Sequence, residues 1–288
     1  MKPSSFDYLR PKDVPEVCQV LADDPEARVL AGGQTLIPML AMRLARPTTL
    51  VDVNRLPQLH GITEQGSQIR IGAATIQAKA LHSDLLKRQV PLLAKALAHV
   101  GHPPTRARGT VGGSVAHGDP SAEICLAAAV LDAEIVYATA EGEERFAPEE
   151  FFIGPMLTTA PAGCLTELLF PKCPAGRVGT GFHETASRRS DYAFASAAAQ
   201  VVLDEEGRCI DLRLGIGAVG DVPQRLEAEG QGMTLTDARI AEIVTAALED
   251  LETVDDLHAT AAYRRRAAAE LARRALREAR DDAMGDIA

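Results

Sequence analysis

The chain has 288 residues, of which 46% are hydrophobic and 24% are charged, so more than one folded substructure is expected and nothing indicates disorder. The formal net charge of −10 argues against a general nucleic-acid or membrane-surface binder, because such proteins usually present a basic face. The sequence contains neither an apolar run of membrane-spanning length nor the hydrophobic stretch of a signal peptide after Met1, which predicts a cytoplasmic protein.

Strand and helix patterns alternate over the first fifty residues. The pattern predicts strands at 6–11, 28–31 and 49–53 and helices at 13–23 and 36–46. This alternation is typical of a small parallel or mixed sheet. We assign residues 1–55 to an N-terminal lobe.

A different pattern begins at Gly61 and defines a second lobe, residues 56–175. The segment 62–72 alternates around Gln65-Gly66-Ser67 and predicts a hairpin. Further predicted elements are helices at 74–86, 91–100 and 123–131 and strands at 134–138 and 165–170.

A segment rich in proline and glycine, 171–176, predicts a linker to a C-terminal domain, residues 176–288. The predicted elements of this domain are strands at 179–184, 195–203 and 209–219 and helices at 237–248 and 263–281. The domain is therefore expected to be α+β, with three antiparallel strands and terminal helices.

Two stretches, both predicted to be loops, join paired glycines to small polar residues: Ala31-Gly-Gly-Gln-Thr-Leu-Ile-Pro38 and Thr110-Val-Gly-Gly-Ser114. Paired glycines permit positive φ and leave backbone N–H groups accessible to an anion. Together the stretches predict a site for the pyrophosphate of a dinucleotide, whereas two unrelated turns are the alternative. Neither stretch fits the G-x-G-x-x-G pattern of Rossmann folds or the phosphate loop that ends in Lys-Ser or Lys-Thr.

These two stretches, with His117-Gly-Asp-Pro-Ser-Ala-Glu123, closely resemble the FAD-binding medium subunit of the molybdenum hydroxylases. That family includes the flavoprotein subunits of carbon monoxide dehydrogenase, xanthine dehydrogenase and the N-heterocycle hydroxylases. The resemblance covers essentially the whole chain, including Tyr263-Arg-Arg-Arg266 near its end. It implies an α+β protein with a two-lobed, PCMH-type FAD-binding fold, built from a small parallel or mixed sheet and an antiparallel sheet, followed by the C-terminal α+β domain.

The resemblance also implies a flavin held between the two lobes, with both glycine stretches around the pyrophosphate. Glu123 stands where the family has an acid bonded to the ribose or adenine part, although it could instead stabilise the first turn of a helix. Tyr192 is a candidate lid or stacking residue for the isoalloxazine, with an ordinary half-buried aromatic as the alternative. The implied cofactor contacts are Val29, Leu30, Ala31, Gly32, Gly33, Gln34, Thr35, Leu36, Val100, Thr110, Val111, Gly112, Gly113, Ser114, His117, Asp119, Glu123, Leu165 and Tyr192.

Other clusters of reactive or charged residues are interpreted conservatively. His99, His102 and His117 lack the spacing of a metal site, and the five scattered cysteines form no C-x-x-C pair, so no metal is expected. The arginines of 264–266 and 273–274 predict a solvated helix face, with a subunit interface as the alternative. Two further arginines precede the second glycine stretch and could neutralise pyrophosphate or be loop residues in solvent: Arg106 and Arg108.

The function implied by the resemblance is electron transfer. FAD on this chain would take electrons from [2Fe–2S] clusters on an iron–sulfur small subunit and pass them to an external acceptor. The substrate would be oxidised at a molybdopterin-type molybdenum cofactor on a large subunit, and a dimer of heterotrimers is expected. No catalytic acid–base group is required, because a flavin supplies its own redox chemistry. A stand-alone flavin oxidoreductase and a non-catalytic assembly subunit are the alternatives, and the substrate (an N-heterocycle, a purine, an aldehyde or carbon monoxide) is open.

Overall fold

The N-terminal part of the chain forms a three-stranded parallel sheet in the computed structural model, which describes residues 2–285. Its elements are β1 (Asp7–Leu9), α1 (Val14–Asp23), β2 (Arg28–Leu30), α2 (Leu36–Ala41) and β3 (Thr49–Asp52). The central strand is β3, which pairs in parallel with both others. The sheet therefore carries the first glycine stretch directly after β2.

The helix predicted at 36–46 ends earlier, at Ala41. Arg43 has a φ of 59°, which is a left-handed conformation that cannot continue an α-helix. The chain turns back there, because the Leu44 N–H donates to the Met39 carbonyl.

The middle part contains a five-stranded antiparallel sheet in the order β4-β5-β10-β6-β7. Its strands are β4 (Ile62–Gln65), β5 (Gln68–Gly72), β6 (Glu134–Thr139), β7 (Glu143–Phe146) and β10 (Gly163–Pro171), and a separate hairpin comprises β8 (Phe152–Gly154) and β9 (Leu157–Thr158). The helices are α3 (Gln77–Leu81), α4 (Asp84–Gln89), α5 (Pro91–Leu97), α6 (Pro103–Arg106), α7 (Val111–His117), α8 (Glu123–Val130) and α9 (Pro148–Phe151).

Two features of this part differ from the sequence-based expectation. The single helix predicted at 74–86 is two helices, because Ser83 caps α4 by accepting a hydrogen bond from the Leu86 N–H. The second glycine pair lies inside α7 and not in a loop. Thr110 begins that helix by accepting a hydrogen bond from the Gly113 N–H at 3.1 Å.

Helix α8 joins the middle part to the C-terminal part. All its residues from Ile124 to Val130 are buried, because one side packs on α5 and α7 and the other on the C-terminal sheet. A Cβ on Gly215 would lie 2.3 Å from a methyl group of Val130, so this sheet approaches α8 closely. Helix α7, which carries the second glycine stretch, and the C-terminal sheet therefore pack against the same helix, α8.

The C-terminal part is a four-stranded antiparallel sheet covered by two helices. Its elements are β11 (Arg177–Thr185), β12 (Ala195–Leu203), β13 (Cys209–Gly217), β14 (Gln224–Leu226), α10 (Asp237–Ala247) and α11 (Ala261–Met284). The three predicted strands are present, and the three-residue β14 adds a fourth at the edge. No helix in the part of the chain that the structure describes is long and apolar enough to cross a bilayer.

Candidate functional site

A cleft of about 630 Å³ opens where the N-terminal, middle and C-terminal parts meet. One wall is the first glycine stretch, and the opposite wall is α7 with the segment 119–123. The loop between β11 and β12 contributes Ser190, Asp191 and Tyr192 at a third side. Segments far apart in sequence thus meet at one concave site, which is where a ligand is expected to bind.

The first glycine stretch touches the residues directly before the second one, Arg108 and Gly109, and the contact is between backbones. A Cβ on Gly32 would lie 2.4 Å from the carbonyl oxygen of Arg108 and 2.7 Å from the Gly109 Cα. A Cβ on Gly109 would in turn lie 2.4 Å from Oε1 of Gln77. Gly32, the Arg108-Gly109 backbone and Gln77 therefore pack on one another in three layers. The two contacts between these layers require that Gly32 and Gly109 carry no side chain.

Free amide donors are concentrated in the first glycine stretch. The backbone N–H groups of Gly32, Gly33, Gln34 and Thr35 donate no hydrogen bond to any residue between 2 and 285. Gly33 has a φ of 71°, and a left-handed residue of this kind can turn successive N–H groups toward a common point. This stretch is therefore built to receive an anion.

The second glycine stretch uses its amides inside the protein, contrary to the expectation that both stretches supply them. The Val111 N–H donates to the Thr75 carbonyl and the Gly112 N–H to the Ala73 carbonyl, each at 2.9 Å. The Ser114 N–H donates to the Thr110 carbonyl at 3.3 Å. What α7 presents to the cleft is therefore a surface without a Cβ at Gly113, together with Ser114, Ala116 and His117.

Most of the predicted contacts come together in the cleft. Those that line it are Val29, Ala31, Gly32, Gly33, Gln34, Thr35, Leu36, Val100, Thr110, Gly113, Ser114, His117, Asp119, Glu123 and Tyr192.

Four predicted contacts lie elsewhere. Leu30 lines a neighbouring cavity of about 560 Å³ that shares residues 31–34 with the cleft. Val111, Gly112 and Leu165 do not line either cavity and belong to the core beneath α7. Gly112 is required by that core, because a Cβ there would lie 2.5 Å from the Ala73 Cβ.

Sequence reasoning missed several polar residues of the cleft, among them Gln77 and Tyr137. Gln77 is 5% exposed; its backbone N–H donates to the Gly109 carbonyl at 2.8 Å, and its Nε2 donates to the Thr110 carbonyl at 3.3 Å. Tyr137 packs against Phe151, and burial raises the pKa of its phenol. Neither residue lies in a recognisable sequence pattern, because both are brought to the site by the middle sheet and the helices around it.

Glu123 is the first residue of α8 and faces the cleft. Burial, with smaller contributions from the nearby Glu184 and Asp119, raises the pKa of Glu123 to about 8. The carboxyl group is therefore mainly protonated at neutral pH and offers both a donor and an acceptor. A neutral group interacts weakly with a helix dipole, so the ligand-binding interpretation is favoured over the helix-stabilising one.

Asp119 and Tyr192 both line the cleft but differ in their surroundings. One carboxylate oxygen of Asp119 accepts hydrogen bonds from the Ser121 N–H and hydroxyl at 2.8 and 2.6 Å, which fixes the turn before α8. Tyr192 is 74% exposed and stands at the mouth. Tyr192 is therefore not an ordinary half-buried aromatic.

Among the remaining charged candidates, Arg106, His99 and Arg264 have partners within the protein. Arg106 donates to the carbonyls of Val100 and Gly101, whereas Arg108 lines the neighbouring cavity. His99 lies 3.3 Å from the Glu184 carboxylate, and residues 2–285 contain no group of three side chains arranged to hold a metal ion. Arg264 is 4% exposed, so its assignment to a solvated face was wrong.

The α+β fold, the loop with free amides and the three-sided cleft define a subunit that binds a dinucleotide cofactor. Residues 4–173 match the FAD-binding domain in molybdopterin dehydrogenase, and residues 180–279 match the carbon monoxide dehydrogenase flavoprotein C-terminal domain. The chain therefore belongs to the FAD-binding medium subunits of the molybdenum hydroxylase family. The resemblance inferred from the sequence and the fold class are confirmed.

The similarity to known members extends over the full length of each chain. The alpha subunit of the 6-hydroxypseudooxynicotine dehydrogenase complex of Paenarthrobacter nicotinovorans is 36% identical, over 97% of this chain and 96% of that protein. The carbon monoxide dehydrogenase medium chain of Hydrogenophaga pseudoflava is 32% identical, over 97% and 98%. A crystal structure of quinoline 2-oxidoreductase from Pseudomonas putida 86 superposes with a TM-score of 0.93 at 34% identity, over 99% and 100%.

The residues present fit FAD. Four adjacent amides that have no partner among residues 2–285 are the donors that a pyrophosphate requires, and two of them belong to glycines, which leave the approach open. A protonated carboxyl at Glu123 suits a sugar hydroxyl, because it can accept from and donate to it.

Proposed function

We propose that this chain is the FAD-binding electron-transfer subunit of a multi-subunit molybdenum hydroxylase. It would accept electrons from [2Fe–2S] clusters on an iron–sulfur small subunit and pass them to an external acceptor. The observation that carries the proposal is the first glycine stretch, whose free amides line one cleft with α7 and the Tyr192 loop. Full-length similarity to medium subunits supports it.

Individual residues have distinct roles in this proposal. The amides of residues 32–35 bind the pyrophosphate, with the side chains of Thr110 and Ser114 on the opposite wall. Glu123 binds a sugar hydroxyl. Val111, Gly112 and Leu165 act indirectly, because they pack beneath that wall.

When bound, the flavin supplies the redox chemistry, and the protein has to bind it, orient it and leave one edge accessible. No acid–base residue is assigned. Tyr192, exposed at the mouth, is positioned to limit access to that edge. Electron transfer thus depends on how the protein orients the flavin and exposes its edge, and not on a reactive side chain.

The proposed assembly is a cytoplasmic dimer of heterotrimers with a molybdenum-binding large subunit. The substrate is oxidised on that large subunit. Within this chain, we propose an N-terminal lobe over 1–55, a second lobe over 56–175 and a C-terminal domain over 176–288. The cleft uses residues from all three.

The test is to purify the chain alone and with its co-expressed partners, and to record the visible absorption spectrum of each. The chain alone is expected to bind FAD stoichiometrically without reacting with substrate, whereas substrate is expected to bleach the flavin in the assembled complex. Failure of the chain to bind FAD would favour an assembly subunit. Turnover of a small substrate by the chain alone would favour a stand-alone flavoenzyme.

A further inference from the structure

Arg264 is a buried arginine in α11 that the cofactor site does not explain. Its side chain is 5% exposed, although it belongs to a run of three arginines. A buried guanidinium is costly unless partners satisfy it, so its contacts indicate what holds it in place. Arg265, its neighbour, shows the contrast: it donates to the carbonyls of Leu248, Glu249 and Leu251 at the end of α10.

Arg264 binds three acceptors from three different segments. Its Nη1 donates to the carbonyl of Phe194 at 2.7 Å and to the carbonyl of Ala218. Its Nη2 lies 2.5 Å from a carboxylate oxygen of Asp256. The guanidinium therefore connects α11 to the start of the long strand β12, to the turn after β13 and to the loop before α11.

Asp256 is held rigidly for this role. Its other carboxylate oxygen accepts hydrogen bonds from the N–H groups of Ala259 and His258, each at 2.8 Å. These two backbone bonds, and then Arg264, lower the pKa of Asp256 to about 2. The ion pair is therefore present throughout the physiological pH range.

The Phe194 contact leads to one side of the cleft. Phe194 ends the loop between β11 and β12, and its N–H donates to the Thr185 carbonyl at 2.7 Å across the base of that loop. Its ring stacks on His258, with centroids 6.3 Å apart. The loop base is thus fixed from several sides, while the tip carries Ser190 and Tyr192 to the cleft.

The Ala218 contact leads to another side of the cleft, the 119–123 wall. Ala218 has a φ of 64°, and its N–H donates to the Pro120 carbonyl at 2.8 Å. Pro120 lies between Asp119 and Ser121, which both line the cleft. One guanidinium is therefore bonded to two backbone positions, each of which leads directly to a different cleft wall.

We propose that Arg264 is a positioning residue, which with Asp256 holds the loop of residues 186–194 at a fixed distance from the 119–123 wall. Without it, the loop base loses its link to α11 and the tip moves away from the cofactor. The functional consequence rests on the proposed binding of FAD in the cleft. The structural statement does not, so the two can be tested separately.

The first experiment measures trypsin cleavage of the full chain without FAD. The loop contains Arg188, whose side chain is 85% exposed, and Arg208 in the β12–β13 turn is an internal reference with a 56% exposed side chain. In Arg264→Met, cleavage at 188–189 is expected to be at least about tenfold faster than in the wild type, while cleavage at Arg208 stays unchanged. Arg274→Met is the matched control, because Arg274 is an exposed arginine of the same helix whose only ion pair within residues 2–285 is with Glu270.

Two milder variants keep the test valid if Arg264→Met does not fold. Arg264→Lys retains the charge but cannot reach all three acceptors, so an intermediate loop cleavage rate is expected. Asp256→Asn leaves both carbonyl bonds and is also expected to give an intermediate rate. Wild-type cleavage at 188–189 in the folded variants would overturn the proposal, and so would equal acceleration at Arg208, because that indicates general destabilisation.

The second experiment measures FAD dissociation from the same variants by the recovery of flavin fluorescence. Arg264→Met is expected to release FAD about tenfold faster than Arg274→Met, with partial rescue in Arg264→Lys. If loop cleavage rises but FAD dissociation is unchanged, the loop does not hold the cofactor and the functional part is wrong. If the wild type itself binds no FAD, the proposed function fails while the cleavage result still decides the role of Arg264.

Discussion

Substitution of Gly32 by alanine tests whether the two glycine-containing segments form one cofactor site. The new methyl group would lie 2.4 Å from the Arg108 carbonyl oxygen, whereas ordinary contact begins at 3.4 Å, so the two segments must separate by about 1 Å. The three obstructing atoms, the carbonyl oxygen and carbon of Arg108 and the Gly109 Cα, all belong to the backbone, and Gly109 itself packs against Gln77. A side-chain rotation therefore cannot relieve the clash.

The expected cost follows from this geometry. Forcing a methyl group into a closely packed contact costs about 1–3 kcal/mol, and each 1.4 kcal/mol corresponds to about tenfold in binding. If FAD contacts both segments, the affinity of the chain for FAD is expected to fall about tenfold or more. Separating the segments breaks the contacts between FAD and one of them. The assay is a titration of the apo chain with FAD, followed by flavin fluorescence, with thermal unfolding of the apo chain in parallel.

Gly66→Ala is the matched control. Gly66 has a φ of 58°, a backbone conformation that is unfavourable for any side chain. No atom of residues 2–285 lies within 4 Å of the new methyl group, however, and the residue is outside the cleft. Alanine there is expected to lose about 1–2 kcal/mol of stability through its left-handed backbone and to bind FAD normally. If Gly32→Ala binds FAD within twofold of the wild type, the two segments do not act as one site.

Three further variants address the polar residues of the cleft. Because the pKa of Glu123 is about 8 in the folded chain and 4.5 ordinarily, the folded chain keeps a proton between these values, so its free energy of unfolding falls as pH rises through them. Denaturant titrations at several pH values should show that this fall in the free energy of unfolding is lost in Glu123→Gln. The same variant is expected to retain FAD better than Glu123→Ala. Gln77→Met, which removes the hydrogen bond to the Thr110 carbonyl, is expected to weaken FAD binding about two- to tenfold; an unchanged dissociation constant in a titration would exclude this role. Tyr192→Ala is expected to leave FAD affinity nearly unchanged and to alter the rate of flavin reoxidation in stopped-flow measurements, and unchanged kinetics would remove Tyr192 from the site.

The sequence predicted elements best where local patterns decide the structure. The strand predicted at 195–203 has the observed bounds Ala195–Leu203, because an apolar run ends there at the Asp204 turn. The helix predicted at 13–23 begins directly after Asp13, whose carboxylate accepts the Glu16 N–H. Such caps and turns act within a few residues, so they are visible in the sequence.

Tertiary contacts explain what the sequence did not predict. The Thr110 to Ser114 segment was expected to be a loop, yet Ala73 packs against Gly112 and stabilises a helix there despite the low helix propensity of glycine. Arg264 was assigned to a solvated face, because the alanines around it give no clear apolar stripe. Its burial depends on carbonyls from Phe194 and Ala218, which are distant in sequence.

The glycines of the site illustrate why a sequence pattern identifies the family more readily than the role of each residue. Gly33 provides a positive φ, Gly32 allows its backbone to touch that of Arg108 and Gly109, Gly109 leaves room for the Gln77 side chain, and Gly112 makes room for Ala73 in the core. All four needs are met by the absence of a Cβ, so they look identical in sequence. They differ in what a substitution disturbs: Gly112→Val is expected to destabilise the fold through the core, whereas a change at Gly32 acts on the joined walls of the cleft. Loss of FAD from a glycine variant therefore identifies a cofactor contact only when stability of the apo chain is measured beside it.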